Sequence, residues 1–202
     1  MIGLLRRGLA VAMATTVLTG CGSLPLQRTY VLGDPPGPAL GVRSETGLPV
    51  FELKTVSVPD YLDSTDILRR TGSNEVVASP SGRWGERLSL GLTDALASAL
   101  SRRLPKLVIA TAPAGEPTRR ILVDVERLEI GAGGRCLMAA RWRIAGSDGQ
   151  AASSRRGTFG ETATSADDAA VAAAMTRVVG QLADQIAATI EAASPGQRRR
   201  ER

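Results

Sequence analysis

The run Ile121-Leu122-Val123-Asp124-Val125-Glu126-Arg127-Leu128-Glu129-Ile130 is followed by Gly131-Ala132-Gly133-Gly134 and then by Cys136 to Ile144. Two long stretches rich in β-branched and aliphatic residues, joined by a glycine turn, predict a pair of adjacent strands. A further strand is expected around Arg155 to Glu161. The chain then changes period. Ser165 stands three residues before Asp168, a capping-box-like start, and Val171, Met175, Val178, Leu182, Ile186 and Ile190 mark one apolar stripe of a long helix. That helix is expected to end near Ser194-Pro195-Gly196.

Upstream, the same mixture recurs. Leu88, Leu92, Ala95, Leu96, Ala99, Leu100 and Leu104 fall at helical spacing, and Pro105 stops them. Leu107 to Ala110 reads as a short strand, followed by a loop from Pro113 to Pro117. Ile67 to Arg70 and Glu75 to Ala78 flank Thr71-Gly72-Ser73-Asn74, whose turn chemistry predicts a hairpin. Val50 to Val58 alternates and halts at Pro59, a further strand. Arg28 to Leu32 reads as the first strand, separated from it by a Pro/Gly-rich loop over 33–49. Strands and two helices in irregular order predict an α+β fold, a mostly antiparallel sheet with two amphipathic helices packed on one face.

The composition narrows the chemistry. The chain has 202 residues and no histidine, which excludes Ser/His/Asp and Cys/His nucleophilic machinery and His-bearing zinc sites. Two cysteines cannot form a Cys-only metal site, and 3% aromatic residues offer few stacking surfaces for single-stranded nucleic acid. The net charge of +5 is concentrated at the ends, on Arg6, Arg7 and the tail Arg198-Arg199-Arg200-Glu201-Arg202, leaving a neutral body. A neutral body does not present the clustered cations of a nucleic-acid-binding face. Neither a catalytic constellation nor a cofactor or metal site is expected. Only Asp/Glu/Ser chemistry without His stays open to an enzyme. Gly131 to Gly134 fails as a phosphate loop because a strand follows it. Asp60, Asp63 and Asp66 lack the glycine turn and closing Glu of a calcium loop, and are read as turn caps.

The first twenty residues read as an address. Arg6 and Arg7 precede an apolar run from Gly8, too short to span a bilayer, which ends in Leu18-Thr19-Gly20-Cys21. That ending resembles a bacterial lipobox, which implies acylation of Cys21 and cleavage before it. More than one acyl chain makes attachment stable. Gly22 rather than Asp follows the cysteine, which points to the outer membrane. Acylation leaves Cys136 as a lone thiol in a strand-like run, read as a buried structural cysteine. The organisation expected is a signal over 1–20 and a lipid-anchored tether with the first strand and loop over 21–49. A single domain over 50–193, completed by strand 28–32, precedes a disordered basic tail over 194–202.

The stretch from 56 to 88 carries a resemblance. Val56-Ser57-Val58-Pro59 leads into Asp60-Tyr61-Leu62-Asp63, then Ile67-Leu68-Arg69-Arg70, Asn74-Glu75 and Arg83-Trp84-Gly85-Glu86-Arg87-Leu88. In order and spacing this resembles the PqiC-type family of ABC-transport auxiliary lipoproteins, and Tyr30-Val31-Leu32 behind the lipobox fits that family's opening. The chain departs from the pattern at Gly85, where Ala is common, and at Arg87, where Pro often begins the helix.

The resemblance implies a non-catalytic, periplasm-facing component anchored in the outer membrane. Its expected partner is an MCE-domain protein of an ABC-type system that moves phospholipid or another hydrophobic cargo between membranes. Tyr61, Arg69, Arg70, Arg83 and Trp84 are the candidate partner contacts, since Trp, Tyr and Arg dominate interface energetics. Arg69 and Arg70 alternate across a strand, so at most one of them faces a given partner. Trp84 has a competing reading as core packing. A ring-shaped partner would suit a homo-oligomeric ring of this chain. Two other functions fit the same residues: an envelope scaffold or assembly lipoprotein without lipid traffic, and a module that itself carries one lipid in an apolar sheet–helix pocket.

Overall fold

The structure is a computed structural model and describes residues 26–33, 47–112, 116–146 and 151–193. The expected signal, the acylated Cys21, most of the Pro/Gly loop and the basic tail lie outside the described residues.

The two long strands form as their alternation dictates. Arg119–Ile130 (β6) pairs antiparallel with Arg135–Gly146 (β7), and β7 with Ala151–Thr162 (β8). Along β7, Cys136, Met138, Ala140, Trp142 and Ile144 point inward and are buried. Along β6 the buried set is Ile121, Val123 and Val125, then Leu128 and Ile130. The change of parity falls at a bulge between Val125 and Arg127, which inserts one residue and returns the later side chains to the core face.

The turn between β6 and β7, Ala132–Gly134, is a 3-10 turn broken by left-handed backbone at Gly133 and Gly134. Gly134 sits at φ 77, and a Cβ there would lie 2.8 Å from the Cβ of Ala163 and 2.9 Å from the carbonyl oxygen of Ser165. Both the left-handed backbone and the close approach require glycine. The Gly134 carbonyl accepts the N–H of Ala163 at 3.0 Å, tying the turn to the chain that leads into the second helix.

Val50–Leu53 (β2) joins β6 in parallel on one edge and Val108–Ala110 (β5) in parallel on the other, giving a five-stranded sheet in the order β5-β2-β6-β7-β8. The expected strand from Val50 to Val58 is interrupted. Lys54 N–H still reaches β6, the N–H of Val56 turns aside to the hydroxyl of Thr93, at 2.9 Å, and Ser57 then bridges back to β6.

The remaining strands form a second sheet, which corrects the expectation of a single one. Arg28–Tyr30 (β1), Asp66–Arg70 (β3) and Val76–Trp84 (β4) pair in the order β1-β4-β3, with β1 parallel to β4. The hairpin expected at Thr71 to Asn74 is present, closed by Thr71 N–H on the Glu75 carbonyl at 3.2 Å. Its second strand runs past Pro80, to Trp84. Asp66 faces Arg83 and Leu68 faces Ala78, so the ladder slips across Pro80, where a missing N–H is tolerated at an irregularity.

Leu88–Arg103 (α1) and Asp168–Ala192 (α2) pack together, with α2 against β7 and β8 and α1 reaching β5. The expected stripe of α2 is buried throughout, from Val171 to Ile190, against Met138, Trp142 and Ile144 of the sheet. Arg103 of α1 ties the pair at its outer edge through Asp184 and the Gly180 carbonyl. The start of α1 has no cap of its own at Arg87; Asp63 supplies one from a distance, accepting the Ser89 N–H at 3.1 Å. Hydrogen bonding from Ser89 holds the Asp63 carboxyl below the usual carboxylate range. Asp63, expected to cap a turn, caps the start of a helix. The cap of α2 is Asp167, which accepts the Ala170 N–H at 2.9 Å, and not Ser165, whose hydroxyl turns to the Asp167 carboxylate.

Cys136 is buried, and burial pushes its thiol up to about 11. A thiol reagent at pH 8 is therefore expected to leave Cys136 unmodified in the folded chain and to modify it after denaturation, as counted by intact mass.

Candidate partner-binding surface

The five candidate residues fall at three places. Trp84 is 4% exposed, a core residue of the β1–β4 ladder opposite Tyr30. Its backbone N–H donates to the Thr65 carbonyl at 2.7 Å. The packing reading holds for it, and it offers no surface to a partner.

Arg69 points to the helices. Its guanidinium donates to Asp168 Oδ1 at 2.7 Å, while Ser79 and Ser81 donate to Oδ2 at 2.7 and 2.8 Å. Asp168 is only 4% exposed. Four residues drawn from β3, β4 and the first turn of α2 thus form one polar knot around a buried carboxylate. Ser79 and Ser81, two residues apart on β4, reach the same carboxylate oxygen. Gly82 leaves room for it: a Cβ there would lie 2.5 Å from Asp168 Oδ2. Burial by itself would raise the Asp168 carboxyl, but the hydrogen bonds from Arg69, Ser79 and Ser81 and the Arg69 charge outweigh it and hold the group below the ordinary range. Arg69 is therefore occupied in joining the small sheet to α2. Sequence reasoning passed over this knot. Its signals were the Ser-Pro-Ser-Gly run at 79–82 and an Asp pair at 167–168, only one member of which can cap.

Arg70 faces the other way, as alternation requires. It lies 2.7 Å from Glu129 Oε1 and donates to the Ser73 carbonyl at 3.0 Å, bracing the hairpin turn against β6. Arg127 donates to the other oxygen of Glu129 at 2.8 Å. The Arg127 hydrogen bond, with the Arg70 charge beside it, holds Glu129 below the ordinary carboxylate range against the opposing effect of burial. Tyr61 is 52% exposed, on the 3-10 turn Asp60–Leu62, and stands within electrostatic reach of Arg127. Val76, the register partner of Arg70, and Val77 are also exposed. At the tip of the β3–β4 hairpin Arg70 and Val76 share one face and Val77 lies on the other, while Tyr61 and Arg127 stand on the neighbouring 3-10 turn and on β6. Such a group matches the residue types that anchor protein interfaces. Arg83 is exposed at the opposite end of the hairpin ladder, beside Asp66 and Thr29.

No group of three or more His, Cys, Asp or Glu that could hold a metal occurs among the described residues, and none of their helices is long and apolar enough to cross a membrane.

Residues 30–187 match the model of the ABC-type transport auxiliary lipoprotein component family. The chain belongs to that family. The match begins at Tyr30 in β1 and ends within α2, so it takes in both sheets and both helices. The intermembrane transport lipoprotein PqiC of Escherichia coli K12 is 26% identical over 136 residues, 66% of this chain and 72% of the relative. The PqiC of Shigella flexneri is similar to the same extent. Two crystal structures share the fold. One, of an uncharacterized protein, has a TM-score of 0.68 at 20% identity, covering 82% of this chain and 99% of the other. The second, from Xanthomonas campestris, has a TM-score of 0.64 at 20% identity, covering 86% and 98%.

Proposed function

We propose that this auxiliary lipoprotein is held to the outer membrane by acyl chains on Cys21, faces the periplasm, and docks on an MCE-domain protein of a system that moves lipid between membranes. Its role is non-catalytic. The family match supports the reading, and so does similarity to a lipoprotein named for intermembrane transport. The lipobox and Gly22 support the anchor and its membrane.

The docking surface takes as its contacts Arg70 and Val76 at the hairpin tip and the exposed Tyr61 on the 3-10 turn before β3, and Arg83 stands apart from the tip. The carrier reading is less well supported. The sheet–helix interface is filled by Met138, Ile144, Met175 and Ile186. The cleft of about 490 Å3 beside β8 is bordered by Arg155, Arg156 and Gln185 and opens to solvent.

The test is co-purification from detergent-solubilised envelopes. Tyr61→Ala combined with Val76→Asp is expected to abolish recovery of the MCE partner while shifting the melting temperature little, because both side chains are exposed. Arg83→Ala is expected to leave recovery intact. Full recovery with the Tyr61/Val76 pair replaced would remove the hairpin tip from the interface.

A further inference from the structure

Two large apolar side chains are exposed more fully than any other among the described residues, Leu26 at 85% and Val31 at 69%. Both lie within ten residues of Cys21. Val31 projects from the outer face of the three-stranded sheet. A Cβ on Gly85 would lie 3.2 Å from a Val31 methyl and 3.5 Å from that of Thr29, so the three residues are neighbours on one face. The register places Arg83 beside Thr29, and alternation sends Tyr30 and Leu32 inward to the core. The strand that bears this face, β1, is at the edge of its sheet.

A leucine and a valine stand exposed at the point where the chain arrives from Cys21. The five residues from Cys21 to Leu26 can span at most roughly 18 Å when fully extended. An acylated Cys21 therefore holds this face close to the headgroup layer. There, exposed aliphatic side chains enter the interface and the exposed Arg83 on the same face meets lipid phosphates.

We propose that the outer β1 face, with Thr29 and Val31 beside the exposed Arg83, rests on the bilayer surface next to Leu26, so that the lipid anchor orients the body as well as tethering it. The proposal rests on the acylation of Cys21. It assigns the occupant of this face as a bilayer, and not a second copy of the chain or a protein partner.

The test uses the full lipidated mature chain with single cysteines introduced by Leu26→Cys, Val31→Cys or, as a control on β8, Thr158→Cys. An acylated Cys21 is blocked and Cys136 is buried, so an NBD label reports one position. Labelled protein is incorporated into vesicles of phosphatidylcholine and phosphatidylglycerol, with and without doxyl-labelled lipid, and circular dichroism confirms that each variant is folded. The labels at 26 and 31 should shift to the blue and lose emission to the doxyl lipid, and the label at 158 should do neither. Water-like emission at 31, with Cys21 shown by intact mass to be acylated, overturns the proposed orientation and leaves the anchor standing. A blue shift without lipid quenching overturns it in favour of a protein contact. An unacylated Cys21 removes the anchor, and the proposal with it.

Discussion

Asp168→Ala is expected to lower the unfolding temperature by roughly 6–12 °C. Asp168 is the common acceptor of Arg69, Ser79 and Ser81, and its removal leaves a partly buried guanidinium and two hydroxyls without their acceptor. Breaking a buried ion pair by deleting one partner costs about 3 kcal/mol or more, and each kcal/mol moves the melting temperature of a domain this size by about 2–4 °C. The double replacement Arg69→Met with Asp168→Leu should recover much of the loss, because no uncompensated charge remains. Thermal unfolding followed by circular dichroism checks both.

The same knot sets an acid limit. Asp168 titrates below an ordinary carboxylate in the folded chain, so its contribution is fully present above the unfolded value of about 3.9 and is lost as pH falls through the lowered one. The gap in melting temperature between the natural chain and Asp168→Asn should therefore close in acid. A gap that stays constant from pH 7 to pH 2 would show that the carboxylate charge is not what joins the small sheet to α2.

Gly134→Ala should be nearly as damaging. A left-handed backbone at a non-glycine residue costs roughly 1–2 kcal/mol. The added methyl also meets Ala163 and the Ser165 carbonyl inside 3.0 Å, and crowding of that kind costs a further 1–3 kcal/mol or so. Gly133→Ala separates the two effects. Gly133 also has positive φ, but a Cβ there would meet nothing within 4 Å, so only the backbone cost applies. Urea unfolding of the two variants should rank Gly134→Ala clearly below Gly133→Ala. Equal losses would mean that the approach of the β6–β7 turn to the α2 leader is not tight.

What the sequence made legible was whatever depends on local period. The stripe of α2, the α1 run stopped by Pro105, the hairpin around residues 71–74 and the β6–β7 pair all follow from near-neighbour patterning. Even the bulge in β6 is written in the chain, because Ile121, Val123 and Val125 share one parity and Leu128 and Ile130 the other. What depends on distant segments was not legible. Nothing within Arg28 to Leu32 says that its partner is β4 and not β2, so two sheets read as one. Ser79-Pro80-Ser81-Gly82 has the composition of a loop, and only the approach of Asp168, nearly ninety residues later, makes it part of a strand. The sequence placed Arg69 and Arg70 on opposite faces through alternation. It could not say that Arg69 is held by α2, because Ser165 and Asp168 also fit a local capping pattern and Asp167 took the cap instead. Trp84 was ambiguous for a related reason. An aromatic residue before a helix suits an interface as well as a core, and only the register opposite Tyr30 decides it.

The central claim is that this chain serves a transport system as a lipid-anchored docking component. Its most direct test is affinity purification of the lipidated protein from detergent-solubilised envelopes, with recovered proteins identified by mass spectrometry. An MCE-domain protein should be specifically enriched in amounts comparable to the bait. Recovery of the folded, acylated bait with no MCE-domain or ABC-transport protein above background would contradict it.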